Sequence, residues 1–265
     1  MKMALITGVL AVLFMQPAFS QVQTKPLISA HNFGNKTELW ESVGIGILNF
    51  QADVMYIYGK LYVTPLMPDS VNHTIPSLTE AYLYPLFNQF KKNSGEILPG
   101  YQDDLFLVLN ISCQPVQVYK QLAVELRPFT EMLSFELEEI KHPGKLRILL
   151  KDKEVLDQIN SIKPSFLGLV GNLADIGKNI DSYQMPLIEI DFSEITSWKG
   201  TGAIPFEDFL KLKELVAKVH AQHRKISIRN CPSYPSVAEV LKTSKADFIN
   251  TPEAIKVAGF LNQAR

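Results

Sequence analysis

Six polar residues of types that suit chemistry follow or close the first three parallel strands that the sequence predicts. They are His31, Asn32, Gln51, Asp53, Asn110 and Ser112. Gln51 and Asp53 are two residues apart, as are Asn110 and Ser112, so each pair points to one side of its strand. Imidazole, amide and carboxylate groups that converge form an oxygen-rich set, which suits a hard cation such as Ca²⁺ or Mg²⁺. The alternative is that they serve turns and caps, which strand ends commonly need.

These residues meet only if the strands that carry them are neighbours in one sheet. Short apolar runs predict the strands Pro26–Ala30, Ile45–Val54, Lys60–Val63 (the hairpin partner of the second), Leu105–Ile111, Lys145–Leu150, Phe166–Val170, Leu187–Asp191, Lys225–Arg229 and Phe248–Asn250. Strands and amphipathic helical patterns alternate about eight times, which implies parallel strands joined by crossover helices. Eight units fit a single-domain α/β fold of the (β/α)8 TIM-barrel type.

The rival arrangement is an open, doubly wound sheet. Such a sheet usually has a Gly-rich loop after its first strand, whereas this turn reads A-H-N-F-G-N. Most of the strands are short apolar runs, as a barrel requires. In barrels the chemistry gathers at the carboxyl ends of the strands, so we expect the six polar residues at one mouth.

Two helices have clear boundaries in the sequence. The segment Pro205–His223 carries an apolar stripe with lysines opposite, which is typical of a surface helix. A second helix is predicted at Leu78–Lys92, where Ser77 and Glu80 have the spacing of a capping box.

The first 20 residues resemble a secretory signal. A basic Met-Lys start precedes an apolar run from Met3 to Met15, and small residues then prepare a cleavage site before Gln21. The alternative is an uncleaved N-terminal anchor. We therefore expect a secreted or periplasmic protein, with residues 21–265 as the mature domain and no transmembrane segment after cleavage. Cys113 and Cys231 are expected to be separate thiols, although export would permit a disulfide.

The composition is that of a globular protein. The chain has 265 residues, 46% of them hydrophobic, and a formal net charge of −1. Neither the charge nor any basic run suggests nucleic-acid binding. The oligomeric state stays open.

Several longer segments resemble one branch of a known superfamily. They are SWKGTGAIP (197–205), ELVAKVHAQHRK (214–225) and ADFINT (246–251), together with the H-N pair after the first strand. The chain is thereby similar to the PLC-like phosphodiesterase superfamily, which contains the glycerophosphodiester phosphodiesterases and the phosphatidylinositol-specific phospholipases C. The most similar branch contains secreted bacterial proteins that resemble the altered-inheritance-of-mitochondria protein of yeast.

This resemblance implies a metal-assisted hydrolysis of a phosphodiester. One His lies beside the phosphate, a second His acts as general acid and base, and carboxylates with an Asn hold the cation. His31 matches the first His, Asn32 the metal-binding Asn, and Asp53 one strand carboxylate.

Other positions depart from the family pattern. Gln51 and Asn110 stand where the family pattern has carboxylates. Ser112 stands where it has a Lys, and Pro65 where it has the second His. Glu→Gln and Asp→Asn keep an oxygen but remove its charge, so we expect weak binding of Ca²⁺ or Mg²⁺ at most. Pro65 cannot transfer a proton, and the loss of a general acid or base typically costs ~10²–10⁴ in rate.

Two functions follow from this pattern. The first is hydrolysis of a glycerophosphodiester or a phospholipid headgroup, which we expect to be impaired. The second is a non-catalytic protein that binds a phosphodiester, a phospholipid-derived small molecule or a partner at the barrel mouth. The losses favour impaired or absent catalysis.

Three further residues bear on the site. His73 would replace the missing second His if the alignment slips in this region, although a surface loop is its simpler interpretation. Trp198 and Lys199 lie in a loop that overhangs the mouth of a barrel and are candidate substrate contacts. The alternative is that Trp198 packs this loop against the barrel.

Overall fold

The computed structural model describes residues 27–31, 36–68, 75–101, 103–111, 113–151 and 165–263. These residues contain eleven strands: β1 (Leu27–His31), β2 (Ile47–Ile57), β3 (Lys60–Val63), β4 (Leu105–Asn110), β5 (Phe135–Leu137), β6 (Ile140–His142), β7 (Leu146–Leu150), β8 (Leu167–Gly171), β9 (Leu187–Asp191), β10 (Lys225–Arg229) and β11 (Phe248–Asn250). All predicted strands are present, with bounds shifted by three residues at most.

Eight of the strands form a closed ring. The order is β1, β11, β10, β9, β8, β7, β4, β2, and β2 pairs again with β1. Every neighbouring pair in this ring is parallel. The closed ring confirms the predicted (β/α)8 barrel and excludes the open, doubly wound sheet.

Helices on the outside connect the strands of the ring. Those in the described ranges are α1 (Lys36–Gly44), α2 (Tyr84–Lys92), α3 (Pro115–Leu126), α4 (Phe192–Ile195), α5 (Phe206–Ala221), α6 (Pro235–Thr243) and α7 (Ala254–Gln263). A π-helical turn, Thr79–Leu83, leads into α2, and the predicted capping box precedes it: Ser77 N and Oγ both donate to Glu80 Oε2, and Glu80 N donates to Ser77 Oγ. No helix in the described ranges is long and apolar enough to cross a membrane.

Two apolar layers stabilise the barrel. The larger layer lies between strands and helices and includes Phe50, Leu107 and Ile148. A separate cluster of alternate strand residues fills the interior: Phe106, Val108, Leu149, Val170, Leu187 and Phe248. Buried polar residues share this inner face, because Glu189 is two residues from Leu187, and Asn250 two from Phe248.

The strand β2 continues beyond the ring and pairs with β3 as an antiparallel hairpin. Tyr58 and Gly59 both have positive φ, at 46° and 83°, as a two-residue type I′ turn requires. The chain then returns to the barrel, where Thr64 N donates to the carbonyl of Asp53 at 2.9 Å. This register places Pro65 close to Asp53, where the parallel pairing of β2 with β4 ends.

The sequence analysis did not predict the hairpin β5–β6, which precedes β7 and so lies at the end of the barrel opposite the mouth. Its turn residues Glu138 and Glu139 have φ values of 50° and 66°. Turns of this kind usually contain Asn or Gly, so a Glu-Glu pair provides no sequence signal for one. Cys113 and Cys231 are free, as expected.

Substitution of Glu125 tests what holds the β2–β3 hairpin. Its Oε1 accepts from Leu61 N at 3.1 Å and its Oε2 from Thr79 Oγ1 at 3.0 Å. In Glu125→Ala the amide of fully buried Leu61 loses its acceptor, so we expect the free energy of unfolding to fall by about 2 kcal/mol. Urea denaturation measures this change. Glu239→Ala, at an exposed site 3.6 Å from Lys242, should change it by less than about 0.5 kcal/mol; equal losses would contradict the assignment.

Candidate functional site

Asp53 and Asn110 come together at the mouth, as predicted. They are register partners of the parallel β2–β4 pair. Asn110 Nδ2 donates to Asp53 Oδ1 at 2.7 Å. The amide nitrogen of Asn110 therefore faces the carboxylate, and its oxygen is left to face other donors or a cation.

Gln51 lies one step deeper in the barrel than Asp53. Its side chain is 2% exposed, and its Nε2 donates to Glu189 Oε2 at 3.1 Å. Its Oε1 is buried and has no hydrogen-bond partner among the described residues. A buried amide oxygen without a donor costs about 1–3 kcal/mol, so this atom is a place where a water, a ligand donor or a cation would be stabilised.

Glu189 links four strands of the ring. It projects from β9, accepts from Gln51 on β2 and from Asn250 Nδ2 on β11 at 3.1 Å, and forms an ion pair with Lys151, directly after β7. Lys151 Nζ lies 2.7 Å from Glu189 Oε1. The carboxylate is buried and both of its oxygens are engaged. Glu189, Lys151 and Asn250 were not among the predicted site residues, although the rule that polar strand ends carry chemistry applies equally to them.

Asp191, at the end of β9, binds several side chains at the neighbouring part of the mouth. Its Oδ1 accepts from Ser193 N and Oγ, and its Oδ2 accepts from Asn230 Nδ2 and lies 3.2 Å from an Arg229 nitrogen. The hydrogen bonds from Ser193, followed by those from Asn230 and the charge of Arg229, lower the pKa of Asp191. This carboxylate therefore stays ionised and orients Arg229.

A cavity of about 650 Å³ opens beside this network at the carboxyl ends of β7 to β10. Its lining residues are Lys151, Val170, Gly171, Asn172, Leu173, Ala174, Glu189, Glu194 and Arg229. Two cations and two carboxylates thus share the opening. A lysine ammonium and an arginine guanidinium have three and five N–H donors, so both side chains can keep their carboxylate partners and still donate to a ligand.

The described donor set does not fit a tightly held divalent cation. Of the predicted ligands Gln51, Asp53 and Asn110, only Asp53 carries charge. No group of three or more His, Cys, Asp or Glu side chains in the described ranges could hold a metal ion. Glu189, the carboxylate that Gln51 contacts, is neutralised by Lys151. We therefore derive no chemical step from a resident metal, and the weak Ca²⁺ or Mg²⁺ site stays a prediction.

Some predicted residues lie beyond what the structure describes. The backbone of His31 pairs with Gln51 in the β1–β2 ladder, which brings the first two predicted strands together, but its side chain lies outside the described part. Asn32, His73 and Ser112 also fall outside the described residues. The predicted roles of these four residues remain predictions.

Trp198 and Lys199 separate within their loop. Trp198 is 9% exposed, its Nε1 donates to the carbonyl of Thr201 at 2.8 Å, and its ring centroid lies 6.4 Å from that of Phe192. This geometry favours the interpretation that the indole packs the loop down. Lys199 is exposed and remains a candidate for ligand contact.

The backbone is similar to solved structures that are described as glycerophosphodiester phosphodiesterases. A protein of Silicibacter pomeroyi DSS-3 assigned as a glycerophosphoryl diester phosphodiesterase has a TM-score of 0.58 at 11% identity, over 91% of this chain and 94% of that chain. The glycerophosphodiester phosphodiesterase of Agrobacterium tumefaciens strain C58 has a TM-score of 0.53 at 14% identity, over 89% and 99% of the two chains. The glycerophosphoryl diester phosphodiesterase domain of a Mycobacterium tuberculosis protein has a TM-score of 0.50 at 10% identity, over 90% and 99%.

The sequence matches no protein-family model and no curated protein. At identities of 10–14% the structural likeness establishes the fold. The activity has to be argued from the site, because one fold hosts many functions.

A single substitution tests the coupling of Gln51 to Glu189. Gln51→Glu would place a second carboxylate about 3 Å from Glu189, where two negative charges repel in a buried site. We expect the free energy of unfolding to fall by about 2–3 kcal/mol at pH 7, and the loss to shrink at pH 4, where a protonated side chain again donates to Glu189. Urea denaturation at both pH values measures this. Gln117→Glu, on the exposed face of α3, is the matched control; an equally small change in both variants would contradict the coupling.

Proposed function

We propose that the protein is an exported barrel of the PLC-like phosphodiesterase type that binds a phosphodiester at its mouth and hydrolyses it slowly or not at all. The fold it shares with glycerophosphodiester phosphodiesterases supports the type of protein. The tail motifs 197–205, 214–225 and 246–251 favour the branch similar to the altered-inheritance-of-mitochondria protein of yeast. Residues 1–20 are the basis for export.

The proposal of impaired catalysis rests chiefly on the position of Pro65. The backbone hydrogen bond between Thr64 and Asp53 sets the chain after β3 against Asp53, the last residue of β2 that pairs with β4, beside the Asp53–Asn110 contact. The residue next in sequence is the one at which the resemblance leads us to expect the second His. A proline there supplies no group that moves a proton, so an attacking water and a leaving alkoxide would both lack their partner.

The absence of two expected carboxylates from the mouth also favours impaired catalysis. Gln51 and Asn110 stand where the resemblance leads us to expect carboxylates, and both side chains donate amide protons to the acids that remain, Glu189 and Asp53. Ca²⁺ or Mg²⁺, when bound, would stabilise negative charge on the phosphoryl oxygens. Of the described residues at these positions only Asp53 keeps a carboxylate, and that carboxylate accepts a hydrogen bond from Asn110, so we expect affinity in the millimolar range or weaker.

Binding requires less of the site than catalysis does. A phosphodiester carries one negative charge and accepts hydrogen bonds from Lys and Arg. Lys151 and Arg229 line the same cavity, while Glu189 and Asp191 fix their positions. The acids keep the cavity near neutral overall, so selectivity is expected for a ligand of low charge, such as a glycerophosphodiester, over a phosphate monoester.

The catalytic part of the proposal is tested by hydrolysis. We expect the purified protein to hydrolyse bis(p-nitrophenyl) phosphate and glycerophosphocholine no faster than His31→Ala does, with Ca²⁺, with Mg²⁺ and with chelator. The reason is the missing proton carrier at position 65, which alone typically costs ~10²–10⁴ in rate. Metal-dependent turnover that disappears in His31→Ala would show an active enzyme and would indicate that another residue, with His73 as the first candidate, replaces the second His.

The binding part is tested separately by titration with glycerophosphocholine, followed by NMR or calorimetry. Arg229→Gln should weaken binding at least about tenfold, because a charge-assisted hydrogen bond is lost. This variant should stay folded, since Asp191 keeps Asn230 and Ser193 as partners. Lys218→Gln, which removes an exposed cation from the far end of α5, is the control. Equal affinity in Arg229→Gln and wild type would overturn the placement of the ligand.

A further inference from the structure

A second polar cavity lies at the end of the barrel opposite the mouth, where β7 and β8 begin. Its volume is about 260 Å³, which is below the ~300–1,000 Å³ that drug-sized ligands usually occupy, so it suits a small molecule. We call this cavity the basal pocket. The polar residues of its lining that bear on its chemistry are Glu136, Arg147, Ser165, Asp181, Tyr183 and Gln184.

The hairpin β5–β6 forms one wall of the basal pocket and is tied firmly to the barrel. The Tyr183 hydroxyl lies 2.6 Å from the carbonyl oxygen of Phe135 and 3.0 Å from that of His142, so it contacts both strands of the hairpin. Two backbone hydrogen bonds, of 2.8 and 2.9 Å, join Glu136 to Ser165, just before β8. These contacts fix the position of the Glu136 side chain relative to the start of the barrel strands.

Arg147 is the cation of the basal pocket, and it lacks a close counter-ion. Its side chain is only 12% exposed, and its Nε lies 4.0 Å from Asp104 Oδ2. The guanidinium carbon lies 3.9 Å from the centroid of the Tyr183 ring, and Nη2 donates to the Tyr183 carbonyl at 2.8 Å. Burial lowers the pKa of Arg147, and Tyr183 and Asp104 offset only part of this effect. Nη1 donates to no atom of the described residues, so an anion in the pocket would stabilise this cation.

The carboxylate of Glu136 is a second unpaired charge in the basal pocket. It forms no hydrogen bond or ion pair with a described residue, Arg147 included. Asp181, the other carboxylate of the lining, is engaged, because Lys141 pairs with its Oδ2 and Tyr183 N donates to its Oδ1 at 2.7 Å. Within the described part of the chain, the pocket therefore offers a ligand one cationic donor and one anionic acceptor.

These two charges favour a small zwitterion over an ion of either sign. A ligand with a carboxylate alone would be attracted by Arg147 and repelled by Glu136, and a ligand with an ammonium group alone would face the opposite mismatch. An α-amino acid carries both groups on one carbon atom. Ser165 and Gln184 add a hydroxyl and an amide to the lining, which favours a polar side chain on the ligand.

We propose that the basal pocket binds a small, polar, free α-amino acid as its zwitterion. The carboxylate of the ligand accepts from Arg147 Nη1, its ammonium group donates to Glu136, and its side chain faces Ser165 and Gln184. Both of the first two contacts are charge-assisted hydrogen bonds, which are the stronger class. Because the basal pocket is at the other end of the barrel from the mouth, this inference does not depend on the proposed function.

Calorimetric titration of the purified protein with L-serine tests the inference, with N-acetyl-L-serine, L-serinamide and acetate as comparisons. We expect L-serine to bind with a dissociation constant of about 1 mM or lower. N-acetyl-L-serine and acetate lack the ammonium group, and L-serinamide lacks the carboxylate. Each of the three should bind at least about tenfold more weakly, because one of the two charge-assisted contacts is lost.

The variant Glu136→Gln tests the acceptor for the ammonium group. It should stay folded, since the Glu136 side chain has no partner among the described residues. We expect it to bind L-serine at least about tenfold more weakly, and to lose the discrimination against N-acetyl-L-serine. Glu139→Gln, at the exposed turn of the same hairpin, is the matched control and should bind L-serine like wild type.

Several outcomes would overturn the inference. Absence of L-serine binding by the wild-type protein is one, and unchanged affinity in Glu136→Gln is another. Acetate or N-acetyl-L-serine that binds as tightly as L-serine would make the pocket a site for simple anions. NMR locates the ligand: changes in amide chemical shift centred on Gly168 and Gln184 would support the basal pocket, whereas changes centred on Asp191 and Arg229 would assign L-serine to the mouth.

Discussion

The buried carboxylate of Glu189 is the interaction on which the mouth of this barrel depends. A carboxylate in an apolar interior costs several kcal/mol unless it is paired and hydrogen-bonded. Here Lys151 neutralises it, and the amides of Gln51 and Asn250 donate to its second oxygen. These partners come from β2, from the end of β7 and from β11, so one charge ties together strands that are distant along the ring. The spacing of the inner face near the mouth therefore depends on all four side chains at once.

The same carboxylate limits what position 51 can be. A second carboxylate about 3 Å away would have to take up a proton or a cation, whereas an amide donates to Glu189 without either. Gln51 and Lys151 together provide the hydrogen-bond donation and the positive charge that the buried carboxylate of Glu189 requires. An amide at position 51 is for this reason compatible with the buried ion pair of Glu189 and Lys151. The hydrogen bond from Gln51 and the ion pair with Lys151 thus satisfy the buried carboxylate of Glu189 with side chains of the protein itself.

The barrel could be predicted from the sequence because its signals are local and repeated. Runs such as Lys225–Arg229 and Phe248–Asn250 are apolar, short and separated by helical patterns, and the structure has both strands with those bounds. The Asp53–Asn110 contact could also be predicted, since two-residue spacing near strand ends implies a shared face. Glu189 was harder to recognise: it lies inside an apolar strand, and its partners are 38 to 138 residues away in sequence, as the Gln51 contact shows. Long-range pairing of this kind follows from the order of strands in the ring, which the pattern of apolar runs does not specify. The loop of Trp198 was ambiguous for a similar reason, because an indole that packs a loop and one that meets a ligand look the same in a sequence.

The register of the β2–β3 hairpin bears on whether a histidine other than His31 can complete the site. Val63 pairs with Val54, and the type I′ turn at Tyr58 and Gly59 leaves no spare residue between the strands. A slip by one residue would turn every side chain of β3 to the opposite face, which would expose Leu61, now fully buried. The chain therefore arrives at the Asp53 ladder with Thr64 and Pro65, and the strand cannot shift to bring a later residue to this place. The register is thus fixed up to Thr64, and Pro65 follows at the position where the resemblance leads us to expect a second histidine.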